Sequence, residues 1–333
     1  MKAILMTRVG GPEVLENGEV ADPELPSPYH IRVRLRAAGV NPIDTKVRAL
    51  HMFYPDKLPA VLGCDGAGTV ESVGDAVTRF RPGDAVYFFN NGLGYGLGTY
   101  AEHTVVHEDY VAKKPRNLSM EEAAAVPLVL ISAWEALLDR AQIKAEETLL
   151  VHAGAGGVGH VAIQLAKHLG AYVATTVSSD AKAELARSLG ADHTINYNEA
   201  DFVEAALDWT DGKGMRVILD TVGGPTFCRS FGAARVFGKV ITLLSTACDV
   251  KAINTARLRN LLIGYVQMTA PLYLGLHNAR LAQTRILEQG AKLIEDGKIK
   301  IKVSEVLPLA QAAEAHRRVE SGHTVGKIVL SIA

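Results

Sequence analysis

The sequence lacks an excess of charge of either sign. Its 333 residues carry 35 Lys and Arg against 36 Asp and Glu, a formal net charge of −1. That leaves no basic field for a nucleic acid or an anionic membrane surface. Cysteine is scarce: Cys64, Cys228 and Cys248 are scattered, with no recurrent spacing. This excludes a disulfide framework and points to a reducing, cytoplasmic setting. Long apolar runs are missing too. Met1–Arg8 is too short an apolar stretch for a secretory leader. The most apolar later segment, 123–138, is interrupted by Pro127, Ser132 and Glu135, so it reads as a buried helix and not as a bilayer span. There is no internal repeat, low-complexity tract or flexible linker. A chain of this length and ordinary globular composition predicts two domains with sizeable cores.

What the sequence does have is a glycine turn between a strand and a helix. Leu149-Leu150-Val151-His152-Ala153-Gly154-Ala155-Gly156-Gly157-Val158-Gly159 runs from a short apolar strand into a helix start. Gly154, Gly156 and Gly159 fit G-x-G-x-x-G. The first permits a tight turn, the second lets a pyrophosphate approach the backbone, and the third lets helix and strand pack closely. Gly157 and Val158 belong to the helix opening, whose free N–H groups face the phosphates. The motif alone is weak, but its context is strong. Val158, Val161, Ala162, Leu165, Ala166 and Leu169 form a buried helical stripe, Gly170 stops it, and 171–177 reads as the next strand. A complete β-α-β unit makes a dinucleotide the leading ligand and an oxidoreductase the leading function.

The organisation agrees. Up to about residue 125, short β-like runs alternate with turn signals such as Asn17-Gly18 and Arg81-Pro82-Gly83-Asp84. From about residue 127 the pattern becomes β-α-β, with strands expected at 148–153, 171–177, 193–196, 217–220, 239–244 and 261–268. Residues 278–297 read as a long helix. Strands at 299–306 and 327–332, with a helix at 309–320 between them, return to the β-rich part. The fold class is α/β: a doubly wound parallel Rossmann sheet plus a β-rich domain, with the ligand at the carboxyl ends of the parallel strands.

The strand Tyr172–Val177 runs into Ser178-Ser179-Asp180-Ala181-Lys182. No carboxylate precedes Asp180, whereas an NAD site usually places one here for the ribose 2′-hydroxyl. Hydroxyls plus a cation favour a 2′-phosphate instead. Ser178 and Asp180 also read as helix caps, and Lys182 as a surface lysine; capping and phosphate binding are compatible.

Several segments carry a family resemblance. They are Ala38-Gly39-Val40-Asn41-Pro42-Ile43-Asp44-Thr45, Leu62-Gly63-Cys64-Asp65-Gly66-Ala67-Gly68-Thr69-Val70, Arg79–Val86, Gly98-Thr99-Tyr100-Ala101-Glu102, the glycine motif, Leu189–Tyr197 and Gly322–Leu330. In this order, over nearly the whole chain, the sequence resembles the zinc-free quinone oxidoreductase branch of the medium-chain dehydrogenase/reductase superfamily. The resemblance implies a GroES-like catalytic domain over 1–126, a Rossmann NADPH-binding domain over 127–298 and a return to the catalytic domain over 299–333. It implies a homodimer paired through Rossmann edge strands, at 261–268. It assigns Ser178, Lys182 and Tyr197 to the 2′-phosphate of NADPH. Ser132, with Leu244 and Ser245 of the loop 243–246, would approach the nicotinamide ribose or amide, Val222 the ribose, and Lys327 the pyrophosphate. Asn41 would lie beside the nicotinamide and offer an amide donor to a substrate oxygen, and Tyr54 would border the substrate pocket. Asn41 reads equally as a turn asparagine before Pro42, and Tyr54 as a core tyrosine. Lys46 departs from the aromatic residue often found at its position.

Zinc members of the superfamily need thiolate or imidazole ligands at three separated places. Here the expected cysteine is Asn41, the expected His-Glu pair is Cys64-Asp65, and the third region, Val126-Pro127-Leu128-Val129, offers no cysteine. The four-cysteine lobe is replaced by the short glycine-rich loop 90–98. No metal is expected, although Cys64, Asp65 and His51 retain ligating side chains. Without a Lewis acid, a substrate must itself accept hydride readily. Quinones and α,β-unsaturated carbonyls do so and simple ketones do not. The expected function is therefore zinc-independent hydride transfer from NADPH to a quinone or enone. The alternatives are a zinc- or NADH-linked alcohol dehydrogenase and a non-catalytic NADPH-binding sensor or structural protein.

Overall fold

The structure is a computed structural model that describes residues 1–50, 58–92, 96–244 and 247–333. Tyr54, His51 and Ser245 lie outside the described residues. In chain order, the first part forms β1 (Lys2–Met6), β2 (Leu15–Glu19), β3 (His30–Val40), α1 (Pro42–Leu50), β4 (Ala60–Val61), β5 (Asp65–Val73), β6 (Ala85–Phe89), β7 (His103–His107), β8 (Ala112–Lys113), α2 (Met120–Ala124) and α3 (Pro127–Trp134). The middle alternates β9 (Thr148–Val151), α4 (Gly157–His168), β10 (Tyr172–Val177), α5 (Asp180–Ser188), β11 (His193–Asn196), α6 (Phe202–Trp209), β12 (Met215–Asp220), α7 (Gly224–Ala233), β13 (Ala234–Thr242), α8 (Val250–Leu258) and β14 (Leu262–Tyr265). The last part forms α9 (Ala270–Tyr273), α10 (His277–Glu295), β15 (Val303–Pro308), α11 (Ala312–Glu320) and β16 (Lys327–Ser331).

These elements divide into two compact units. The first comprises Met1–Leu128, Thr269–Gly297 and Ile301–Ala333; the second comprises Val129–Met268 and Lys298–Lys300. The first unit is built on a mixed sheet in the order β15-β16-β3-β5-β6-β8, with β7 paired to β3 as well, and a small sheet β2-β1-β4. β3 shows why its residues make a strand. Ile31, Val33 and Leu35 are fully buried, while the alternating Arg32 and Arg34 are not, the period-two pattern of a sheet with one dry face. β16 runs antiparallel to β3, with Ile328 opposite Val40, and β3 runs antiparallel to β5, with Gly39 opposite Asp65. Three chain-distant segments thereby meet at one end of the sheet.

The second unit is a six-stranded parallel sheet in the order β11-β10-β9-β12-β13-β14. That is the doubly wound order, and its direction reverses beside β9. Strand residues Leu150, Ala174, Ile195, Ile218 and Val240 pack with Phe202, Phe227 and Phe231 from α6 and α7 to form a core on one face. Side-chain caps start the helices where the strands end: Ser179 for α5, Asp201 for α6 and Asp249 for α8. The strands fall within a few residues of the sequence expectation.

Two features differ from the sequence reading. The long helix α10 belongs with the first unit, not with the stretch 127–298. Tyr87 of β6 donates its hydroxyl to Leu287 O at 2.6 Å, Asn117 donates to Ile294 O at 2.9 Å, and Arg116 pairs with Glu295 at 3.1 Å. Helical periodicity fixes an element but not the surface that takes its apolar side. The cysteines also differ: Cys228 of α7 and Cys248 form a disulfide, and only Cys64 is free. Twenty residues separate the pair, far outside any short spacing rule. The packing of α7 against α8 brings the two together with Cα atoms 5.5 Å apart. Among the described residues no helix is long and apolar enough to cross a membrane.

Candidate active site

The glycine turn occupies the carboxyl end of β9, at the reversal of strand order. Two glycines of the fingerprint, Gly154 and Gly159, answer a steric demand. A Cβ on Gly154 would lie 2.0 Å from Thr175 Oγ1, and one on Gly159 would lie 2.3 Å from Ala153 O and 2.8 Å from the Gly154 Cα. Gly156 stands at the N-terminus of α4 with no side-chain cap, and Gly156, Gly157 and Val158 are only half-buried. The first N–H groups of α4 are thus left to an anionic ligand.

His152 lies inside this turn, and the sequence reading gave it no role. It is fully buried, with Nε2 2.9 Å from Ser230 Oγ and Nδ1 3.2 Å from Thr176 Oγ1. Ser230 donates its own proton to Thr226 O, so His152 Nε2 must donate to Ser230. Nδ1 then accepts from Thr176, whose oxygen accepts from the Ala153 N–H at 3.0 Å. Burial holds the imidazole neutral, with its pKa pushed down to about 4 despite the opposing charge of Asp220. A neutral histidine in one tautomer therefore fixes the strand end from which the turn springs.

Asp220, buried at the end of β12, sets the next two loops. Its Oδ1 accepts from the Val222 and Gly223 N–H groups at 3.1 and 2.9 Å, and its Oδ2 accepts from Thr242 Oγ1 at 2.7 Å. Thr242 Oγ1 in turn accepts from the Leu244 N–H at 3.1 Å. Val222 is left exposed and Leu244 half-buried. Ser132, on α3, is buried.

At the ends of β10 and β11, Lys182 Nζ donates to Ser178 Oγ at 2.9 Å, and Asn198 Nδ2 donates to Ser178 O at 3.0 Å. Tyr197 follows β11 beside Val177, to which its N–H donates at 3.1 Å, and its side chain is about half exposed at 53%. The α5 cap is Ser179, which accepts from Lys182 N. Ser178 is thus not engaged as the cap. Ser178, Lys182 and Tyr197 are brought to one edge of the sheet, and Asn198 joins them without having been singled out.

The first unit contains a second constellation, around the end of β3. Asp44 supplies one half of a cap on α1: its Oδ2 accepts from the Asn41 N–H at 2.8 Å, while its own N–H donates to the Asn41 backbone O at 3.0 Å. Pro42 at the first helical position suits the fixed φ of the turn. Asn41 Nδ2 donates to Asp65 Oδ2 at 2.9 Å and lies 3.7 Å from Cys64 Sγ. Asp65 Oδ1 accepts from the Leu128 N–H at 3.0 Å. Lys327 Nζ donates to Val40 O at 2.8 Å and to Asn41 Oδ1, and lies 4.0 Å from Asp65 Oδ2. Tyr100 OH donates to Asp44 Oδ2 at 3.3 Å and faces His316 Nε2 at 3.2 Å. Every side chain in this set is buried. Burial pushes the Asp44 carboxyl up to about 7 and the Asp65 carboxyl to about 6, the Lys327 ammonium opposing both shifts. Burial and the two nearby carboxylates push the Cys64 thiol up strongly.

Asn41, Cys64 and Asp65 therefore do meet, as the zinc-ligand positions would. The donor set does not fit zinc, however. It offers an amide, a thiol held in its protonated form, and one carboxylate already bonded to two N–H groups, with an ammonium among them. Among the described residues no group of three or more His, Cys, Asp or Glu is placed to hold a metal ion.

Residues 27–116 match the family model "Alcohol dehydrogenase GroES-like domain", and residues 189–330 match "Zinc-binding dehydrogenase". A quinone oxidoreductase of Pseudomonas aeruginosa is 36% identical over 329 residues, 99% of each chain. Among solved structures, an NAD-dependent alcohol dehydrogenase superposes with a TM-score of 0.90 at 34% identity, over 100% of both chains. Escherichia coli quinone oxidoreductase complexed with NADPH does so with a TM-score of 0.88 at 33% identity, again over 100% of both chains. The chain belongs to the medium-chain dehydrogenase/reductase superfamily, in its quinone oxidoreductase branch.

Proposed function

We propose that this chain is a reductase that uses NADPH to reduce a quinone or an α,β-unsaturated carbonyl, with no metal in the reaction. The observation that carries the cofactor assignment is the Lys182–Ser178 contact beside Tyr197, at a strand end where an NAD enzyme usually keeps a carboxylate. Hydroxyls and a cation favour a 2′-phosphate, which an acid would repel. The NADPH complex of the Escherichia coli relative supports the same reading.

Bound NADPH supplies the hydride. The chain's own residues bind and orient. Gly154, Gly156, Gly157, Val158 and Gly159, with the uncapped start of α4, receive the pyrophosphate. Ser178, Lys182 and Tyr197 hold the 2′-phosphate. Ser132, Val222 and Leu244 line the ribose and nicotinamide, the loops of Val222 and Leu244 being held by Asp220 and Thr242. Asn41 directs an amide hydrogen toward a substrate oxygen. With an ammonium rather than a metal beside Asn41, the substrate oxygen meets a hydrogen-bond donor and no Lewis acid, which favours acceptors that delocalise the incoming charge.

A homodimer paired through β14 belongs to the same proposal. β14 is the sheet's edge strand, with Leu262 and Tyr265 both more than half exposed. A cytoplasmic location belongs to it as well, and the Cys228–Cys248 disulfide weighs against that part. The NAD-dependent neighbour favours a second reading, an NADH-linked alcohol dehydrogenase.

One assay separates the two readings. NADPH and NADH oxidation is followed at 340 nm with EDTA-treated protein, against an ortho-quinone, a para-quinone and an enone, with a simple alcohol run in reverse. NADPH-dependent turnover of a quinone or enone is expected. Activity only with NADH and alcohol, or only after zinc is added, would overturn the proposal.

A further inference from the structure

The positions that would carry zinc ligands converge on a place that already holds a cation. Lys327 opens β16 and is about 3% exposed. A buried ammonium is costly unless its charge and its donors are matched. Here two of its donors go to Val40 O and Asn41 Oδ1, and Asp65 Oδ2 lies at ion-pair distance, 4.0 Å. The groups that match it are among those standing at the ligand positions, Asn41 and Asp65.

We propose that Lys327 is a positioning residue that takes over the electrostatic part of a metal in this site. Paired with Asp65, it fixes the direction of the Asn41 amide and closes the cage to a divalent cation. The two ends of an asparagine amide are alike in shape and opposite in hydrogen bonding. An ammonium only donates and an ionised carboxylate only accepts. Oδ1 must therefore face Lys327, and Nδ2 must face Asp65. One Nδ2 hydrogen goes to Asp65. Among the described residues the other meets Cys64 Sγ at 3.7 Å, a weak acceptor. A carbonyl oxygen can take that hydrogen without displacing a carboxylate. Lys327 thus acts on the substrate through Asn41, and not as a contact to the cofactor pyrophosphate. This kinetic role rests on the reductase reading above; exclusion of a metal does not.

The test uses the intact protein and the variants Lys327→Met, Asp65→Asn and the two combined. Three readouts are taken: kcat with quinone or enone, the NADPH dissociation constant by fluorescence, and zinc content after dialysis against zinc chloride. Lys327→Met is expected to lower kcat about tenfold or more while NADPH affinity changes less than about twofold, and adding Asp65→Asn is expected to cost less than about twofold further. Wild type is expected to retain no equivalent of zinc. NADPH affinity about tenfold weaker at unchanged kcat would return Lys327 to the pyrophosphate and overturn the inference. So would strictly additive losses, or one tightly held zinc per wild-type chain. The double variant leaves neither buried charge alone, so it keeps the test open if Lys327→Met fails to fold. If wild type turns over no quinone or enone, the reductase reading fails on its own. Zinc retention and a double-mutant cycle on thermal unfolding then still decide the Lys327–Asp65 pair, which an uncoupled cycle would contradict.

Discussion

At the scale of single residues, the sequence marked the nucleotide end better than the reacting end. Gly154 and Gly159 were legible because a steric demand there permits one residue type, and Gly156 because it opens the uncapped start of α4. Ser178 and Lys182 were suggested by a missing acid at a strand end and Tyr197 by resemblance; their hold on the 2′-phosphate is part of the proposal. Lys182 carries the sharpest consequence. If its ammonium meets a 2′-phosphate, a charge-assisted hydrogen bond worth about 1.5–3 kcal/mol is at stake. Lys182→Ala should therefore weaken NADPH binding about ten- to a hundredfold and leave NADH binding within about twofold. Titration of both nucleotides by fluorescence checks this. Asn41 was placed by resemblance, with Cys64 and Asp65 beside it as ligand positions, but Lys327 was not placed with them: it lies 286 residues away in the chain, and strand register, not spacing, brings it there.

His152 was invisible as a functional residue for another reason. A histidine in a strand reads as ordinary core, and only the surrounding hydroxyls show that its neutral form is built in. Its folded pKa, about 4, lies below the ordinary 6.5. Above pH 6.5 neither the folded nor the unfolded state is protonated, and the network contributes fully. As pH falls from 6.5 toward 4, the unfolded chain takes up the proton first. Stability is lost across that window, by about 3 kcal/mol for this group. His152→Gln removes the titration, so its unfolding free energy should fall less between pH 7 and pH 4.5 than that of wild type. Urea unfolding at the two pH values measures the difference.

At the scale of elements, strands were the easiest to read. Period-two burial in β3, and short apolar runs bounded by turn signals in β9, β10 and β12, mark strands. What the sequence did not disclose was attachment. The helix α10 is amphipathic wherever it packs, and nothing in its own periodicity says that Tyr87 will donate to Leu287. Likewise Cys228 and Cys248 are neighbours only because two crossover helices lie side by side. The β9-turn-α4 element tolerates little change. At Gly159 a Cβ would meet backbone atoms, Ala153 O and the Gly154 Cα, and backbone cannot rotate out of the way. Gly159→Ala should push α4 from β9, cost about 1–3 kcal/mol of stability, and weaken NADPH binding by more than that loss explains. Thermal unfolding with and without NADPH separates the two effects, since ligand stabilisation should shrink as well.

At the scale of the whole molecule, a parallel sheet ends on β14 with its outer edge unpaired among the described residues. Long open edges are hazardous unless they are paired or guarded by charge, and Leu262 and Tyr265 guard nothing. The proposed homodimer places this edge against its copy. Leu262→Lys with Tyr265→Lys should convert the dimer to a monomer in sedimentation equilibrium without lowering the thermal stability of the second unit. A wild-type monomer at micromolar concentration would refute the pairing.

The proposed hydride delivery from NADPH to a charge-delocalising acceptor needs no metal. A single-turnover measurement on metal-stripped protein, using NADPH deuterated at the transferred position with a quinone or enone, tests this. Oxidation is expected to proceed in the presence of EDTA, to show a primary isotope effect, and to be far slower with equal NADH. No oxidation until zinc is restored, or equal rates with NADH, would contradict it.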